Sequence, residues 1–271
     1  MKEDHLAPHR SQARGGPLQG GRSSTSPPHR SQARGGPLRG GRPSTSPPLH
    51  GGLFLPARGL LFDNDGVLVD SEPSVLRSWS RWAVDHDLDP AKVMAVVPGR
   101  RAADTVAVFV APAQAEASVA LITRYELEDV AGTIAVPGVL DLVAQLAGVP
   151  WAVVTSGVRE LATARLRVAG VPLPEVVVTA EDVAAGKPDP AGYRAAAATL
   201  GLAPADVLVL EDSVSGVTAG QAAGCRVLGI GDGALRTTAD VVVRDLTGAR
   251  WTGDGLLLPA AALLRVPRAD G

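Results

Sequence analysis

The chain has 271 residues, of which 45% are hydrophobic and only 3% are aromatic, and its formal net charge at pH 7 is -2. This length allows one sizeable domain, and the scarcity of aromatic residues favours sheets flanked by helices over an aromatic-rich sandwich. A single cysteine, Cys225, excludes an internal disulfide, and we expect it to be a small core residue. Without a signal-peptide pattern or an apolar run of roughly 18 to 20 residues, the sequence predicts a cytoplasmic protein that makes no membrane contact.

Residues 1–52 differ in composition from the rest of the chain and are rich in Gly, Pro, Ser and Arg. The 20 residues 9–28 return almost unchanged as a direct repeat at 29–48. Residues 1–50 carry eight basic residues against two acidic ones, a net charge of +6. A segment with so little to bury is predicted to be disordered. Because no aromatic residues lie between the basic ones, we expect no nucleic-acid partner.

The predicted fold begins with an apolar run that ends in two closely spaced aspartates. The segment "LLFDNDGVLVDSE" spans residues 60–72, and Asp63 and Asp65 directly follow a predicted strand at Gly59–Phe62. Asp-Asn-Asp-Gly by itself is typical of a turn. Whether it is a reaction centre depends on what other strands bring to the same place.

A long segment without predicted strands comes next. Residues 73–148 have the pattern of several helices, whereas a crossover between two parallel strands needs only one. We therefore predict an inserted helical cap at residues 73–136, over the carboxyl edge of the sheet. Trp79 and Trp82 lie three residues apart on its first helix and are expected in the cap core, and His86 is expected to face solvent.

From residue 137 onward, short apolar runs alternate with Ala-rich helical stretches. Continuous apolar runs are typical of strands buried on both faces, and their alternation with helices is typical of a parallel sheet. Further strands are predicted at Trp151–Val154, Val176–Val178, Val207–Leu210, Arg226–Ile230 and Asp240–Val243, and helices at Val139–Ala147, Arg159–Ala169, Pro190–Leu200 and Ser215–Ala223. The sequence thus predicts an α/β fold, a doubly wound parallel sheet built from residues 53–72 and 137–250, with residues 251–271 as a C-terminal extension.

Polar side chains follow four of these strands. In strand order they are Asp63 and Asp65, then Thr155 and Ser156, then Lys187, then Glu211 and Asp212. Because the carboxyl ends of parallel strands meet at one edge of a sheet, we expect these side chains to converge. This convergence favours a reaction centre over a set of unrelated turns.

The residue types in this set indicate phosphoryl transfer. Clustered carboxylates repel one another unless a cation lies among them, and hard oxygen ligands suit Mg²⁺, so magnesium is the expected cofactor. One carboxylate can attack phosphorus to form an aspartyl-phosphate, while a second protonates the leaving oxygen and later accepts a proton from water. Lys187, with a hydroxyl from Thr155 or Ser156, would neutralise the transferring group.

Four segments, taken together and in this order, resemble the motifs of a known superfamily. The segments "LFDNDGVLVDSE", "VVTSG", "AAGKPDP" and "VLEDSVSG" resemble the four motifs of the haloacid dehalogenase-like superfamily of Mg²⁺-dependent phosphatases. The resemblance covers about residues 59–245 and is greatest to phosphatases of sugar, polyol and glycerol phosphates. It implies a Rossmann-like core with a cap, and a monomer or weak homodimer that hydrolyses a small phosphorylated metabolite.

The resemblance also implies a role for each motif residue. Asp63 is the implied nucleophile and Asp65 the implied general acid and base. The implied Mg²⁺ ligands are the Asp63 side chain, the Asp65 backbone carbonyl and Asp212, with Glu211 either a ligand or holding a bound water. The implied phosphate-binding set is Thr155, with Ser156 as its alternative, Gly157 and Lys187. An acid at position 65 argues against true dehalogenases, which lack one there.

Substrate specificity is expected to come from the cap. Arg100 and Arg101, in "VPGRRAAD" at residues 97–104, are candidates to bind polar or anionic groups of the substrate, and the alternative is a solvated pair at a helix start. Glu72 and Arg159 lie near the site in the family, and the alternative is a surface ion-pairing role.

Two other functions remain open at this point. A phosphosugar mutase of the same superfamily would use the same core and return the phosphoryl group to sugar instead of water. A non-catalytic binding protein would have lost its site, which the five intact groups at 63, 65, 187, 211 and 212 argue against.

Overall fold

The computed structural model describes residues 52–267. The predicted disordered tail therefore lies, except for Gly52, outside the described residues, as do residues 268–271. The strands are β1 (Gly52–Pro56), β2 (Gly59–Phe62), β3 (Val69–Asp70), β4 (Ile134–Ala135), β5 (Trp151–Val154), β6 (Val176–Val178), β7 (Val207–Glu211), β8 (Arg226–Ile230), β9 (Val241–Val243), β10 (Arg250–Trp251), β11 (Gly255–Pro259) and β12 (Leu263–Arg265). The α-helices are α1 (Glu72–Asp85), α2 (Pro90–Met94), α3 (Ala102–Phe109), α4 (Pro112–Glu128), α5 (Val139–Val143), α6 (Arg159–Val168), α7 (Ala191–Thr199) and α8 (Val214–Ala223).

The main sheet has the strand order β12-β9-β8-β7-β2-β5-β6. Strands β2 and β5 to β9 are parallel, and β12 is an antiparallel edge strand. Every residue of the central strands β2 and β7 is buried, as the unbroken apolar runs at 59–62 and 207–210 predict for all but the last residue of β7, Glu211. The chain moves outward from β2 to β5 and β6 and then crosses back to β7. The prediction of a doubly wound parallel sheet is confirmed, and its switch point lies between β2 and β7.

The bounds of the strands predicted for the main sheet, and of the helices predicted between them, agree with the structure to within one residue, except for one helix. Helix α5 ends at Val143, although it was predicted to reach Ala147. After Val143 the hydrogen bonds shorten to the i−3 type, from Gln145 N to Leu142 O and from Leu146 N to Val143 O. This tightening ends the α-helix one turn early.

Helices α1 to α4 lie in the segment predicted as a cap, which we call the cap, and their buried residues form a hydrophobic cluster separate from the two clusters of the sheet. Trp79 and Trp82 are buried there as predicted, and their rings meet edge to face with centroids 5.3 Å apart. The prediction that His86 faces solvent was wrong, because its ring stacks on Trp82 and its two nitrogens lie 2.8 Å from Trp82 O and Ser118 Oγ.

A second correction concerns residues 73–148, which were predicted to contain no strand. The two-residue β4 pairs antiparallel with β3, so the chain segments that enter and leave the cap are joined.

The described part of the segment predicted as a C-terminal extension, residues 251–267, forms strands that pair with other parts of the chain. Strand β11 pairs antiparallel with both β1 and β10, which brings the first strand of the described chain together with residues 250–259 in one three-stranded sheet. Strand β12 then extends the main sheet beyond β9. Cys225 is buried in the core as predicted. Among residues 52–267, no helix combines the length and the apolar character that crossing a membrane requires.

Candidate active site

The carboxylates that follow β2 and β7 meet at the switch point of the sheet. Parallel pairing aligns Phe62 with Leu210, so the residues that follow the two strands emerge side by side. Asp63, Glu211 and Asp212 each present a carboxylate oxygen, and these oxygens lie within 4.8 Å of one another. The predicted convergence of these acids is therefore present in the structure.

Lys187 links this cluster to the loop that follows β6. Its Nζ donates hydrogen bonds to Asp63 Oδ1 at 2.6 Å, to Glu211 Oε1 at 2.6 Å and to Val154 O at 3.0 Å. All three ammonium protons are thereby used inside the protein. Burial alone would lower the pKa of Lys187, but the two carboxylates more than offset it and raise the pKa. The two carboxylates therefore favour the charged form of the lysine.

Glu211 is completely buried and is bound on both oxygens. Lys187 and the Tyr193 hydroxyl, at 2.8 Å, donate to Oε1. The backbone N–H groups of Asp212 and Ser213, at 2.9 and 3.0 Å, and Ser213 Oγ, at 3.1 Å, donate to Oε2. Burial would raise the pKa of Glu211, but Lys187 and these donors lower it overall. Glu211 is therefore an ionised anchor for the groups around it.

Asp63 and Asp212 are the two carboxylates of this cluster whose pKa values are raised. Burial raises the pKa of Asp63 to about 7, with Glu211 and Asp65 adding to the effect and Lys187 opposing it. Burial, followed by Glu211 and Asp63, raises the pKa of Asp212 well above its usual range. Two crowded carboxylates that resist ionisation are what a hard divalent cation stabilises, so this donor set fits Mg²⁺.

Gly66 allows Asp212 to approach the turn after β2. Its φ of +81° lies in the left-handed region, which glycine adopts without strain. A Cβ added to Gly66 would overlap the carboxylate of Asp212. The glycine in the opening motif is therefore required both by its backbone conformation and by the neighbouring acid.

Thr155, Ser156 and Gly157 lie in the turn between β5 and α6. Thr155 Oγ1 accepts a hydrogen bond from Gly157 N at 3.0 Å, and no hydrogen bond from its hydroxyl proton is present within residues 52–267. Ser156 Oγ instead donates to Gly99 O of the cap at 2.9 Å. Of the two hydroxyls that the sequence left open, that of Thr155 is the one whose proton has no partner in the described part of the chain and is available to a ligand.

Asp65 is held by donors from three segments. Ser71 Oγ donates to its Oδ1 at 2.5 Å and Arg165 Nη1 at 2.8 Å, while Asn64 Nδ2 donates to its Oδ2 at 3.2 Å. Sequence reasoning missed Arg165. The available signal was its place on the apolar face of α6, with Leu161 and Ala162 one turn earlier.

The four peripheral residues named from the sequence have different surroundings. Arg101 forms an ion pair with Asp104 at 2.8 Å and donates to Ala184 O of the core at 3.2 Å, so it connects the cap to the loop before Lys187. The other three residues, Arg100, Glu72 and Arg159, are exposed. Arg159 forms an ion pair with Asp182 at 2.6 Å. Within residues 52–267, Arg100 and Glu72 make no side-chain hydrogen bond or ion pair with the acidic cluster.

Comparisons with known proteins agree on one family. A family model for the haloacid dehalogenase-like hydrolases matches residues 57–224. Hexitol phosphatase A of Escherichia coli (strain K12) is 45% identical over 179 residues, which is 64% of this chain and 82% of the relative. Validoxylamine A 7'-phosphate phosphatase of Streptomyces hygroscopicus subsp. limoneus is 35% identical over 202 residues, 70% of this chain and 95% of the relative.

A solved structure supports the same assignment. The crystal structure of a HAD family hydrolase from Deinococcus radiodurans R1 with bound phosphate and sodium is 32% identical, covers 71% of this chain and 92% of that one, and superimposes with a TM-score of 0.53. The family model spans more than half of the chain and includes all four motifs. The chain therefore belongs to the haloacid dehalogenase-like hydrolases, as the motifs predicted.

Proposed function

We propose that the chain is a phosphatase that hydrolyses a small phosphomonoester, a sugar or polyol phosphate, through an aspartyl-phosphate on Asp63. The observation that carries this proposal is the setting of Asp63 at the switch point, with one oxygen bound to Lys187 and with Asp65 two residues further on. The hexitol phosphatase and the validoxylamine A 7'-phosphate phosphatase support the substrate class, because the first is named for a hexitol and the second for the phosphate ester of a small molecule.

In the first step, the Asp63 carboxylate attacks the phosphorus of the substrate. Lys187 holds Oδ1 of Asp63, which leaves Oδ2 to form the new oxygen–phosphorus bond. The bond between phosphorus and the ester oxygen breaks, and the leaving oxygen takes a proton from Asp65. The products of this step are an alcohol and an aspartyl-phosphate.

In the second step, water attacks the aspartyl-phosphate. Asp65, now deprotonated, accepts a proton from that water, the bond between Asp63 and phosphorus breaks, and inorganic phosphate leaves. The ionised Asp63 and the protonated Asp65 are restored. The Thr155 hydroxyl, whose proton has no partner among residues 52–267, and the charge of Lys187 stabilise the transferring group in both steps.

Asp63, Asp212 and the backbone carbonyl of Asp65 are the groups that we assign to hold Mg²⁺. We assign no direct metal bond to Glu211, because five donors already occupy its two oxygens, about as many as a carboxylate accepts. When bound, Mg²⁺ supplies positive charge that neutralises the phosphoryl oxygens.

The test is Mg²⁺-dependent phosphate release from hexitol, hexose and glycerol phosphates. Wild-type protein is compared with Asp63→Asn, which keeps the shape of the side chain but removes the nucleophile. Release that requires Mg²⁺ and is lost in the variant supports the proposal. Isomerisation of a hexose 1-phosphate without phosphate release would replace it with a mutase, and silence in both assays would refute an enzyme of this class.

A further inference from the structure

Arg165 occupies a buried position between two carboxylates that come from different parts of the chain. Its Nη1 lies 2.8 Å from Asp65 Oδ1, in the turn after β2, and its Nη2 lies 3.1 Å from Glu126 Oε1, in the last turn of the cap helix α4. Arg165 itself belongs to the core helix α6. One guanidinium thus joins the proposed general acid and base to a cap helix.

The exposed fractions of these three side chains show which of them can contact a substrate. The side chains of Arg165 and Glu126 are 3% and 9% exposed, whereas that of Asp65 is 30% exposed. Only Asp65 can therefore meet a substrate. Arg165 and Glu126 can affect the reaction only through Asp65.

The donors around Asp65 restrict its side chain from several directions. Ser71, which directly follows β3, and Arg165 both donate to Oδ1, while Asn64 donates to Oδ2. Ser71 and Asn64 lie within six residues of Asp65, whereas Arg165 is 100 residues away and is anchored in a different layer. Arg165 is thus the donor that ties the acid to the rigid core.

The hydrogen bonds that Arg165 makes to the two carboxylates leave another of its nitrogens without a partner among residues 52–267. Its Nε is buried and, within residues 52–267, has no hydrogen-bond partner. Buried donors without partners are uncommon, and they concentrate where function rather than stability sets the geometry. A planar guanidinium can bridge two carboxylates with separate nitrogens, which a lysine ammonium cannot do with the same geometry.

We propose that Arg165, oriented by Glu126, is a positioning residue that holds Asp65 in place to protonate the leaving oxygen and to activate water. This inference rests on the proposed function, since it assigns to Asp65 the acid and base role described there. It adds two residues, one in the core and one in the cap, that lie outside all four sequence motifs.

The dependence of the rate on the leaving group tests whether Arg165 positions the acid. A residue that only stabilises the fold would not change this dependence. A misplaced acid slows the expulsion of an alkoxide, which needs a proton, far more than the expulsion of 2,4-dinitrophenolate, which does not. The rate of the first chemical step is therefore measured in single turnovers with a hexitol phosphate and with 2,4-dinitrophenyl phosphate, on the same protein sample. The ratio of the two rates does not depend on the fraction of folded protein.

The variants are Arg165→Gln, Arg165→Lys and Glu126→Gln, with Asp65→Asn as the reference for full loss of the acid. Arg167→Gln is the matched control, because Arg167 is exposed on the same helix. For Arg165→Gln we expect the rate with the hexitol phosphate to fall by about 10-fold to 100-fold, and the rate with the dinitrophenyl ester to fall by less than about 3-fold. Arg165→Lys and Glu126→Gln are expected to change the ratio in the same direction but less, and Arg167→Gln to leave it unchanged.

Two other outcomes have distinct meanings. Equal losses with both esters in Arg165→Gln and Glu126→Gln, while Asp65→Asn shows the expected selectivity, would overturn the positioning role and leave the proposed function intact. A wild-type protein that hydrolyses neither ester, or an Asp65→Asn variant without leaving-group selectivity, would overturn the proposed roles and this inference with them.

Discussion

The ammonium of Lys187 lies 2.6 Å from Oδ1 of Asp63, although the two residues are 124 positions apart in the sequence. The same nitrogen also lies 2.6 Å from Glu211, so one buried cation compensates two buried anions. Lys187 is thus expected to stabilise the folded site and to hold the carboxylate of Asp63 for the reaction.

Replacing Lys187 with Met should therefore reduce stability as well as activity. The substitution leaves Asp63 and Glu211 buried without their cation, and breaking a buried ion pair in this way costs about 3 to 5 kcal/mol. Urea denaturation measures the loss of unfolding free energy, and phosphate release measures the loss of activity. A variant as stable as the wild type would contradict the assigned ion pairs.

Mg²⁺ should stabilise the protein more at high pH than at low pH. The pKa of Asp63 in the folded metal-free protein is about 7, above its value in the unfolded chain, so its contribution to stability is complete at acid pH and is lost as the pH rises through about 7. Asp212, whose pKa is also raised, acts in the same direction. Mg²⁺ offsets this loss because it binds the ionised carboxylates.

The measurement is the melting temperature with Mg²⁺ and with chelator between about pH 5 and about pH 8. We expect the difference between the two conditions to grow with pH in the wild type and to be smaller in Asp212→Asn. A Mg²⁺ effect that is constant across this range would contradict the assigned ligands.

Gly66→Ala should abolish Mg²⁺-dependent activity. An alanine at φ +81° is strained, and its Cβ would overlap the Asp212 carboxylate. Gly148→Ala is the matched control, because Gly148 also has a positive φ, +76°, but nothing lies within 4 Å of an added Cβ. We expect both variants to lose about 1 to 3 kcal/mol of stability from the backbone, and only Gly66→Ala to lose the Mg²⁺-induced rise in melting temperature.

Thr155→Val and Ser156→Ala should differ in their effects on catalysis. Within residues 52–267 the Thr155 hydroxyl proton has no hydrogen-bond partner and can serve the phosphoryl group, so Thr155→Val should lower kcat by about 100-fold to 1,000-fold, the scale of losing a donor to a developing charge. Ser156→Ala removes the contact with Gly99 of the cap and should mainly raise KM. Steady-state kinetics on one sugar phosphate separates the two, and the reverse pattern would exchange their roles.

The sequence predicted the main sheet and the central acids for a clear physical reason. Strands buried on both faces have unbroken apolar sequences, and the polar groups that follow them stand out against that background. Because the carboxyl ends of parallel strands share one edge, the position of Asp63 next to Asp212 follows from their strands alone.

Other features of the site and of the fold had no local sequence signal as clear as that of the buried strands. Arg165 and Tyr193 lie within helices, and although Arg165 lies on an apolar helix face, the role of each depends on which helix face meets the cluster, which is a tertiary property. The pairing of β1 with β11 joins segments about 200 residues apart, so neither segment alone reveals it. The core contact of Arg101 likewise depends on how the cap sits on the core, which sequence periodicity does not encode.

The most direct test of a covalent intermediate on Asp63 is mass spectrometry of the protein after acid quench during turnover of a sugar phosphate with Mg²⁺. We expect a peptide that contains Asp63 to carry the added mass of one phosphoryl group, and we expect this modification to be absent in Asp63→Asn. Phosphate release by the wild type with no phosphoryl group on Asp63, or with the group on another residue, would contradict this intermediate.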